Sequence, residues 1–176
     1  MVKVFLRDIA AVICLGLVVF IGIHFTLEQV IVYQSSMQPT LREGQRLFIS
    51  KAALLLNNPE RGDIVIFNCP QYVDGIPLVK RVIGLPGETI EINSGSVYIN
   101  GVLLEEPYIE DRPDYIIDAL TVPESQYFVL GDNRNVSNDS HCGWTVPEAN
   151  IIGKAWVSVW PPDAWGIIPS YTYANE

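Results

Sequence analysis

The sequence LVKRVIG, residues 78–84, is rich in the residue types that favour a β-strand. Valine and isoleucine pack well on a pleated surface, and the closing glycine is a turn signal. Successive side chains of a strand point to opposite faces, so Lys80 shares a face with Leu78 and Val82. The stretch therefore predicts a strand that carries a lysine on an apolar face.

Similar runs recur along the chain, with turn signals between them. Asn100-Gly101 stands between two of them and is typical of a two-residue hairpin. Outside the N-terminus, only Lys51 to Leu56 has a helical pattern. We therefore predict a mostly β fold, an antiparallel sandwich or barrel. The predicted strands are Val30 to Tyr33, Arg46 to Ser50, Asp63 to Asn68, Leu78 to Gly84, Thr89 to Ile92, Ser96 to Ile99, Tyr127 to Leu130 and Lys154 to Trp160.

Length and charge limit the class of protein. The 176 residues suit one domain with a small appendage. The chain has 11 Lys and Arg against 20 Asp and Glu, a net charge of −9, which disfavours binding to nucleic acid. Nine of the acidic residues and one arginine lie between Glu88 and Glu124, a net charge of −8 in that stretch. We expect this stretch, at about 88–125, to form a small acidic β cap inserted into the main domain.

The N-terminal stretch holds the apolar excess that raises the mean hydropathy to +0.23. The 19 residues of 9–27 carry no formal charge. As a helix they would span roughly 28 Å, about the thickness of one bilayer core. We predict a single transmembrane anchor over residues 9–27, so that the protein is in contact with a lipid bilayer. A buried core helix and a cleaved signal peptide are the alternatives, although no small-x-small cleavage site follows the run.

The charges that flank this stretch predict an orientation. Lys3 and Arg7 precede it and Glu28 follows it. The positive-inside rule places residues 1–8 in the cytosol or stroma and residues 28–176 on the trans side. The bacterial plasma membrane and the thylakoid membrane both have this topology.

Cysteine and histidine usage predicts neither a metal nor a cofactor. The only histidines are His24 and His141, and no metal-ligand spacing is present. Cys69 and Cys142 both lie in the predicted exported part, and the sequence leaves open whether they pair or remain free thiols.

Two segments could carry chemistry. Burial lowers the pKa of a lysine and favours the neutral amine, so Lys80 is a candidate general base. The alternative is a lysine whose amine reaches water from an apolar surface. Ser35 and Ser36 lie in a predicted turn after a strand, where they could stabilise turn amides. A serine becomes an effective nucleophile only beside a base, and a Ser–Lys pair is one variant of that arrangement.

Four motifs in a fixed order make the pattern specific. Together with the N-terminal apolar run, they strongly resemble the type I signal (leader) peptidase family, in its bacterial and organellar branch. The resemblance extends from the apolar run to about Trp160. The motifs are QSSMQPTL at 34–41, RGDIVIF at 61–67, VKRVIGLPGE at 79–88 and GDNRNVSNDS at 131–140.

The resemblance implies roles for individual residues of a catalytic β domain. Ser36 would be the nucleophile and Lys80 its general base. Ser137 would hydrogen-bond the lysine amine, Asp139 would support Ser137, and Arg81 and Asp132 would stand behind the pair. The peptide-binding positions would be Val30, Val32, Met37, Leu41 and Val79.

One departure from the family pattern concerns the oxyanion hole. The family uses the backbone N–H of the nucleophile, here Ser36, with a serine or threonine hydroxyl two residues earlier. That earlier position is Gln34 in this chain. The Gln34 amide, the Ser35 hydroxyl or the backbone alone could serve, and the loss of one donor can slow catalysis by ~10²–10³.

The resemblance implies a membrane-anchored serine endopeptidase that cleaves signal peptides from exported preproteins through an acyl-enzyme. Cleavage would follow small residues at the last and third-last positions of the signal peptide. One alternative is a catalytically weakened homologue that binds peptides at the membrane. Another is a Ser–Lys protease of the self-cleaving repressor type, against which the predicted anchor argues.

Overall fold

The computed structural model describes residues 2–69, 71, 75–171 and 173, without the side chains of residues 2–4, 21 and 23–25. Lys3, which the orientation prediction uses, therefore lies outside the described side chains. The first elements are α1 (Val2–Thr26), β1 (Leu27–Ile31), a 3-10 helix (Ser35–Met37), β2 (Arg46–Ser50), α2 (Ala52–Leu56), β3 (Ile64–Phe67) and β4 (Leu78–Gly84).

The remaining elements are mostly strands. They are β5 (Thr89–Asn93), β6 (Ser96–Ile99), β7 (Val102–Leu103), β8 (Ile117–Thr121), β9 (Gln126–Leu130), β10 (Val146–Pro147), β11 (Ile151–Trp160) and β12 (Gly166–Ile167). Short 3-10 helices occur at Arg134–Val136, Ser140–Cys142, Glu148–Asn150 and Pro162–Ala164.

The strands form two antiparallel sheets. The larger has eight strands in the order β1-β2-β11-β3-β4-β9-β10, with β12 paired to β11, and we call it the catalytic sheet. The smaller has the order β7-β6-β5-β8 and lies within the acidic stretch at 88–125; we call it the cap sheet. The prediction of a mostly antiparallel β fold is confirmed.

Three apolar clusters hold the sheets together. The first lies around Leu47, Ile49 and Ile66 of the catalytic sheet and includes Met37 of the first 3-10 helix. The second includes Phe67 and Trp144, and the third joins Ile83 of β4 to the cap sheet. Because β4 contributes Val79 to the first cluster, Leu78 and Val82 to the second and Ile83 to the third, its position is fixed on both faces.

Local signals in the sequence set several boundaries correctly. Asn100 and Gly101 have φ angles of 51° and 80° and join β6 to β7, as the hairpin prediction requires. The predicted strand at 30–33 instead begins at Leu27, because residues 27–31 pair in full with β2. The described cysteines Cys14, Cys69 and Cys142 are all free, so Cys69 and Cys142 do not pair.

The large apolar side chains described along the N-terminal helix α1 are exposed. Val12 is 71% exposed, Val18 67% and Phe20 66%. In the described part of the chain, no helix meets the length and hydropathy needed to cross a membrane. The predicted span over residues 9–27 is therefore not confirmed.

Candidate active site

A serine and a lysine from different elements meet at the centre of the site. Lys80 lies in the middle of β4, opposite Val65 of β3, and only 1% of its surface is exposed. Its Nζ donates a hydrogen bond of 2.6 Å to Ser36 Oγ, which is also buried. The alternation of β4 thus turns Lys80 towards the serine and away from water, as the apolar face predicted.

Ser36 lies in the turn that follows β1. Gln34 is extended, and the chain then turns through the 3-10 helix Ser35–Met37. Met37 is 1% exposed, so its burial anchors the turn in the core. From the fourth motif, the Asn133 backbone N–H donates to the Ser36 carbonyl oxygen at 3.0 Å, and Asn133 Nδ2 donates to the Ser35 carbonyl oxygen at 3.3 Å. The nucleophile candidate is therefore held from both sides.

The surroundings of Lys80 favour its neutral form. Burial lowers the pKa of Lys80 from 10.5 to about 8, because the charged amine loses its hydration. The carboxylates of Asp139 and Asp132 oppose this effect and raise the pKa. A pKa of about 8 lets an appreciable fraction of the amine accept a proton near neutral pH.

Asp139 and Ser137 lie near the pair but do not make the contacts predicted for them. Asp139 Oδ2 accepts a hydrogen bond from the Gly131 backbone N–H at 2.8 Å, and Oδ1 lies 2.8 Å from His141 Nδ1. Among the described residues, Ser137 Oγ is buried without a hydrogen-bond partner. The predicted bonds from Ser137 to Lys80 and from Asp139 to Ser137 are thus not formed in this structure, in which the Asp139 carboxylate binds Gly131 and His141 instead.

Gly131 lies where the fourth motif meets the nucleophile. A Cβ atom placed there would collide with Ser137 Oγ and with the Ser36 carbonyl oxygen. Only a glycine allows the loop to approach Ser36 this closely.

Arg81 and Asp132 form a buried ion pair on the other face of β4. Arg81 Nε and a terminal nitrogen donate to the two Asp132 carboxylate oxygens at 2.8 and 2.6 Å. The two side chains are 1% and 0% exposed. A further Arg81 nitrogen donates to the Gly62 carbonyl oxygen at 2.8 Å, and the guanidinium lies 4.0 Å from the centre of the Tyr108 ring. Arg81 and Asp132, which were predicted separately to stand behind Ser36 and Lys80, thus bind each other.

A small cleft opens beside Ser36 and Lys80. Of the five predicted peptide-binding residues, Val32, Met37 and Val79 line it. Val30 and Leu41 do not; Leu41 is buried in the first apolar cluster, and Val30 packs against that cluster. The other lining residues, which sequence reasoning missed, are Ile31, Tyr33, Ile76, Pro77 and Leu78. Their position at or next to the predicted strands 30–33 and 78–84 is the feature of the sequence that could have identified them.

The two candidates for a second oxyanion donor differ in their surroundings. Gln34 is exposed and lines the cleft next to Ser36. Ser35 is half-buried and does not line this cleft. Gln34 is therefore the better placed of the two.

Metal chemistry has no evident site in the part of the chain that the structure describes. No group of three or more His, Cys, Asp or Glu side chains there could hold a metal ion.

A buried serine hydrogen-bonded to a lysine of lowered pKa is the arrangement of a hydrolase that uses a Ser–Lys pair. Residues 5–160 match the family model described as signal peptidase, peptidase S26. The chain belongs to this family and is therefore a serine endopeptidase.

Individual relatives agree with the family model. The chain is 42% identical to probable signal peptidase I-1 of Synechocystis sp., over 85% of this chain and 79% of that protein. It is 34% identical to the chloroplastic thylakoidal processing peptidase 1 of Arabidopsis thaliana, over 73% and 40%. The crystal structure of a signal peptidase I from Enterococcus faecalis superposes with a TM-score of 0.50 at 38% identity, over 56% of this chain and 97% of that one.

Proposed function

We propose that this protein is a membrane-anchored signal peptidase that cleaves exported preproteins with Ser36 as nucleophile and Lys80 as general base. The observation that carries the proposal is the 2.6 Å hydrogen bond between buried Lys80 Nζ and Ser36 Oγ. The names of the relatives above, both bacterial and thylakoidal, support the substrate class.

The proposed reaction proceeds through an acyl-enzyme. Neutral Lys80 takes the proton from Ser36 Oγ as the oxygen attacks the scissile carbonyl carbon. The ammonium then gives that proton to the leaving amine, and the acyl group remains on Ser36. Lys80 next activates a water that hydrolyses the ester and releases the signal peptide. The Ser36 backbone N–H and the Gln34 amide are the proposed oxyanion donors.

Neighbouring groups support these steps. The Arg81–Asp132 pair fixes the β4 backbone beside Lys80, and Asp139 holds the Gly131 loop against Ser36. We assign Ser137 a hydrogen bond to the Lys80 ammonium once it forms, because its buried hydroxyl is otherwise unpartnered among the described residues.

Two unpaired strand edges favour binding of an extended peptide. β1 ends the order of the catalytic sheet, and β9 pairs with β4 only at Arg81 to Gly84. The edge of residues 78–80 that faces away from β3 therefore has no strand partner in the described part of the chain. A peptide added along these edges would direct alternate side chains into the cleft. The small size of the cleft favours alanine at the last and third-last positions.

The proposed anchor is α1. Its large apolar side chains that the structure describes are exposed, and Arg7 and Asp8 near its start are exposed as well. Exposed apolar side chains gain free energy when they pass from water into lipid, which would hold the cleft near the membrane where preproteins emerge. We propose residues 1–8 on the cytosolic or stromal side and residues 28–176 on the trans side, in a bacterial plasma or thylakoid membrane.

The test is cleavage of a preprotein with an Ala-x-Ala site by the detergent-solubilised full chain. We expect Ser36→Ala and Lys80→Ala to abolish cleavage. Lys51→Ala is the matched control, because Lys51 makes only a half-exposed ion pair with Glu28. Activity that survives either active-site substitution would refute the pair. Peptide binding without any cleavage by the wild-type protein would instead indicate a peptide-binding module.

A further inference from the structure

Two tyrosines beyond β12, Tyr171 and Tyr173, pack against Tyr108 of the stretch at 88–125. The rings of Tyr171 and Tyr173 lie 4.8 Å apart, and Tyr171 meets the Tyr108 ring edge-on at 5.7 Å. The hydroxyl groups of Tyr108 and Tyr173 are 2.7 Å apart, and Tyr108 donates to Glu106 at 2.8 Å. Tyr173 therefore donates to Tyr108. We call Tyr171 and Tyr173 the tail tyrosines.

The tail tyrosines and Tyr108 together form a wall that covers the Arg81 side of the Arg81–Asp132 ion pair. Tyr108, which they hold, lies face-on against the Arg81 guanidinium at 4.0 Å. The Tyr171 carbonyl oxygen lies so close to Gly62 that a Cβ there would collide with it, and the Gly62 carbonyl oxygen accepts from Arg81 at 2.8 Å. The tail thus contacts both the aromatic and the backbone partner of Arg81.

This wall keeps water away from a pair of charges next to the reacting groups. Arg81 and Asp132 are 1% and 0% exposed. Arg81 follows Lys80 directly, and the residue after Asp132 donates its backbone N–H to the Ser36 carbonyl oxygen at 3.0 Å. Water weakens electrostatic interactions strongly, so the strength of the ion pair depends on what covers it.

We propose that the tail tyrosines are positioning residues for the peptidase. They exclude water from the Arg81–Asp132 pair and so keep Lys80 and Ser36 in their positions relative to each other. The inference rests on the proposed function only in the role it gives Lys80. The tail itself touches neither substrate nor the reacting atoms.

Loss of the wall has a defined consequence for Lys80. The pKa of Lys80 is lowered to about 8 mainly by burial. Although Arg81 lies on the opposite face of β4, loss of its cover should loosen the strand and let water reach the neighbouring Lys80, which raises the pKa of Lys80 towards its ordinary value. At a fixed neutral pH, less Lys80 is then neutral. The peptidase should lose kcat, and the acid limb of its pH profile should move to higher pH.

The experiment compares full-length Tyr173→Ala, Tyr171→Ala and Tyr173→Phe on a peptide with an Ala-x-Ala site. For each alanine variant we expect kcat at pH 7 to fall about tenfold with KM nearly unchanged, and the acid limb to move up by about one pH unit. Tyr173→Phe keeps the ring and loses only the hydroxyl bond, so it should restore most of the activity. Tyr98→Ala is the control, because Tyr98 is a half-buried tyrosine of β6 in the cap sheet.

Several results would overturn the inference. An acid limb that stays at its wild-type pH in the folded alanine variants means that the tail is only a structural support. If Tyr173→Ala does not fold, Tyr171→Ala alone decides by the same criterion. Failure of the proposed function is distinguishable, because the wild-type protein itself would then not cleave, or Ser36→Ala would cleave equally well. Hydrogen exchange at residues 61–63 provides a readout without substrate and should accelerate in the alanine variants.

Discussion

Lys80 combines two properties that a strand residue rarely has together. Its amine is buried, and that amine is hydrogen-bonded to one hydroxyl group, that of Ser36. The burial removes the hydration that stabilises an ammonium, and the 2.6 Å separation from Ser36 Oγ places the hydroxyl within reach for proton transfer to the neutral amine. Asp139 and Asp132 raise the pKa again, so the pKa settles at about 8 rather than lower.

The pH dependence of kcat/KM follows from this balance. We expect kcat/KM to rise with pH and to level off above about 8, because the neutral form of Lys80 is the active one. The measurement is peptide cleavage between pH 6 and 10, with the unfolding transition followed at each pH. A profile centred near 6.5 and abolished by His141→Ala would instead identify a histidine base.

Gly131 provides a second prediction for a single residue. Gly131→Ala would drive a Cβ into the Ser36 carbonyl oxygen and Ser137 Oγ, so the nucleophile must move. We expect kcat to fall by about a hundredfold, since a displacement of this size disrupts alignment of the reacting atoms.

Gly84→Ala is the matched control for Gly131→Ala. A Cβ at Gly84 also meets close neighbours, but they are the side chains of Ile90 and Phe128 between β4 and the cap sheet. It should lower the unfolding temperature without a comparable loss of kcat. Equal kcat in the two glycine variants would show that the Gly131 contact does not position Ser36.

Strand β4 positions the site, because its two faces carry side chains that bind different partners. Lys80 points to Ser36, whereas Arg81 on the other face binds Asp132. Both faces are buried, and a buried polar or charged side chain requires a hydrogen-bond partner, here one on each face. The fourth motif supplies Asp132 to one face and holds Ser36 for the other.

Asp132→Asn tests this element. It leaves the Arg81 guanidinium buried without its counter-charge, and we expect the free energy of unfolding to fall by about 3–5 kcal/mol. Loss of the Asp132 charge also removes an influence that raises the pKa of Lys80, so the acid limb of kcat/KM should move to lower pH. This direction is opposite to that expected for the tail variants.

The control for Asp132→Asn is Asp163→Asn. The Arg42–Asp163 pair spans 3.3 Å with side chains 69% and 66% exposed, so its loss should cost less than about 1 kcal/mol. Similar costs for the two variants, measured by urea unfolding, would contradict the assigned strength of the buried pair.

The sequence predicts the local features of these elements and not their distant partners. The alternation of residues 78–84 places Lys80 on the apolar face, and Asn100-Gly101 forms the hairpin, because both depend on neighbours in the chain. The insertion of β11 between β2 and β3 depends on pairings far apart in sequence, which no local pattern encodes. For the same reason, the sequence does not predict that Tyr173 packs against Tyr108.

On the scale of the whole molecule, the N-terminal helix and the β domain bury their apolar side chains differently. The large apolar side chains of the catalytic sheet are mostly buried, whereas those described along α1 are exposed. β1 starts directly after the helix and pairs with β2 over residues 27–31. The fold of the sheets therefore does not depend on burial of α1.

Removal of residues 1–26 tests this separation. Every strand pairing described above is retained in a chain that starts at Leu27, so we expect its unfolding temperature and its kcat/KM on a soluble Ala-x-Ala peptide to match those of the full chain in detergent. Cleavage of a preprotein embedded in lipid vesicles should fall by about tenfold or more, because the helix no longer concentrates the enzyme at the membrane. Equal cleavage of the vesicle-bound preprotein by both forms would show that α1 does not anchor the enzyme. A loss of soluble-peptide cleavage in the shortened chain would show that the helix supports the site itself.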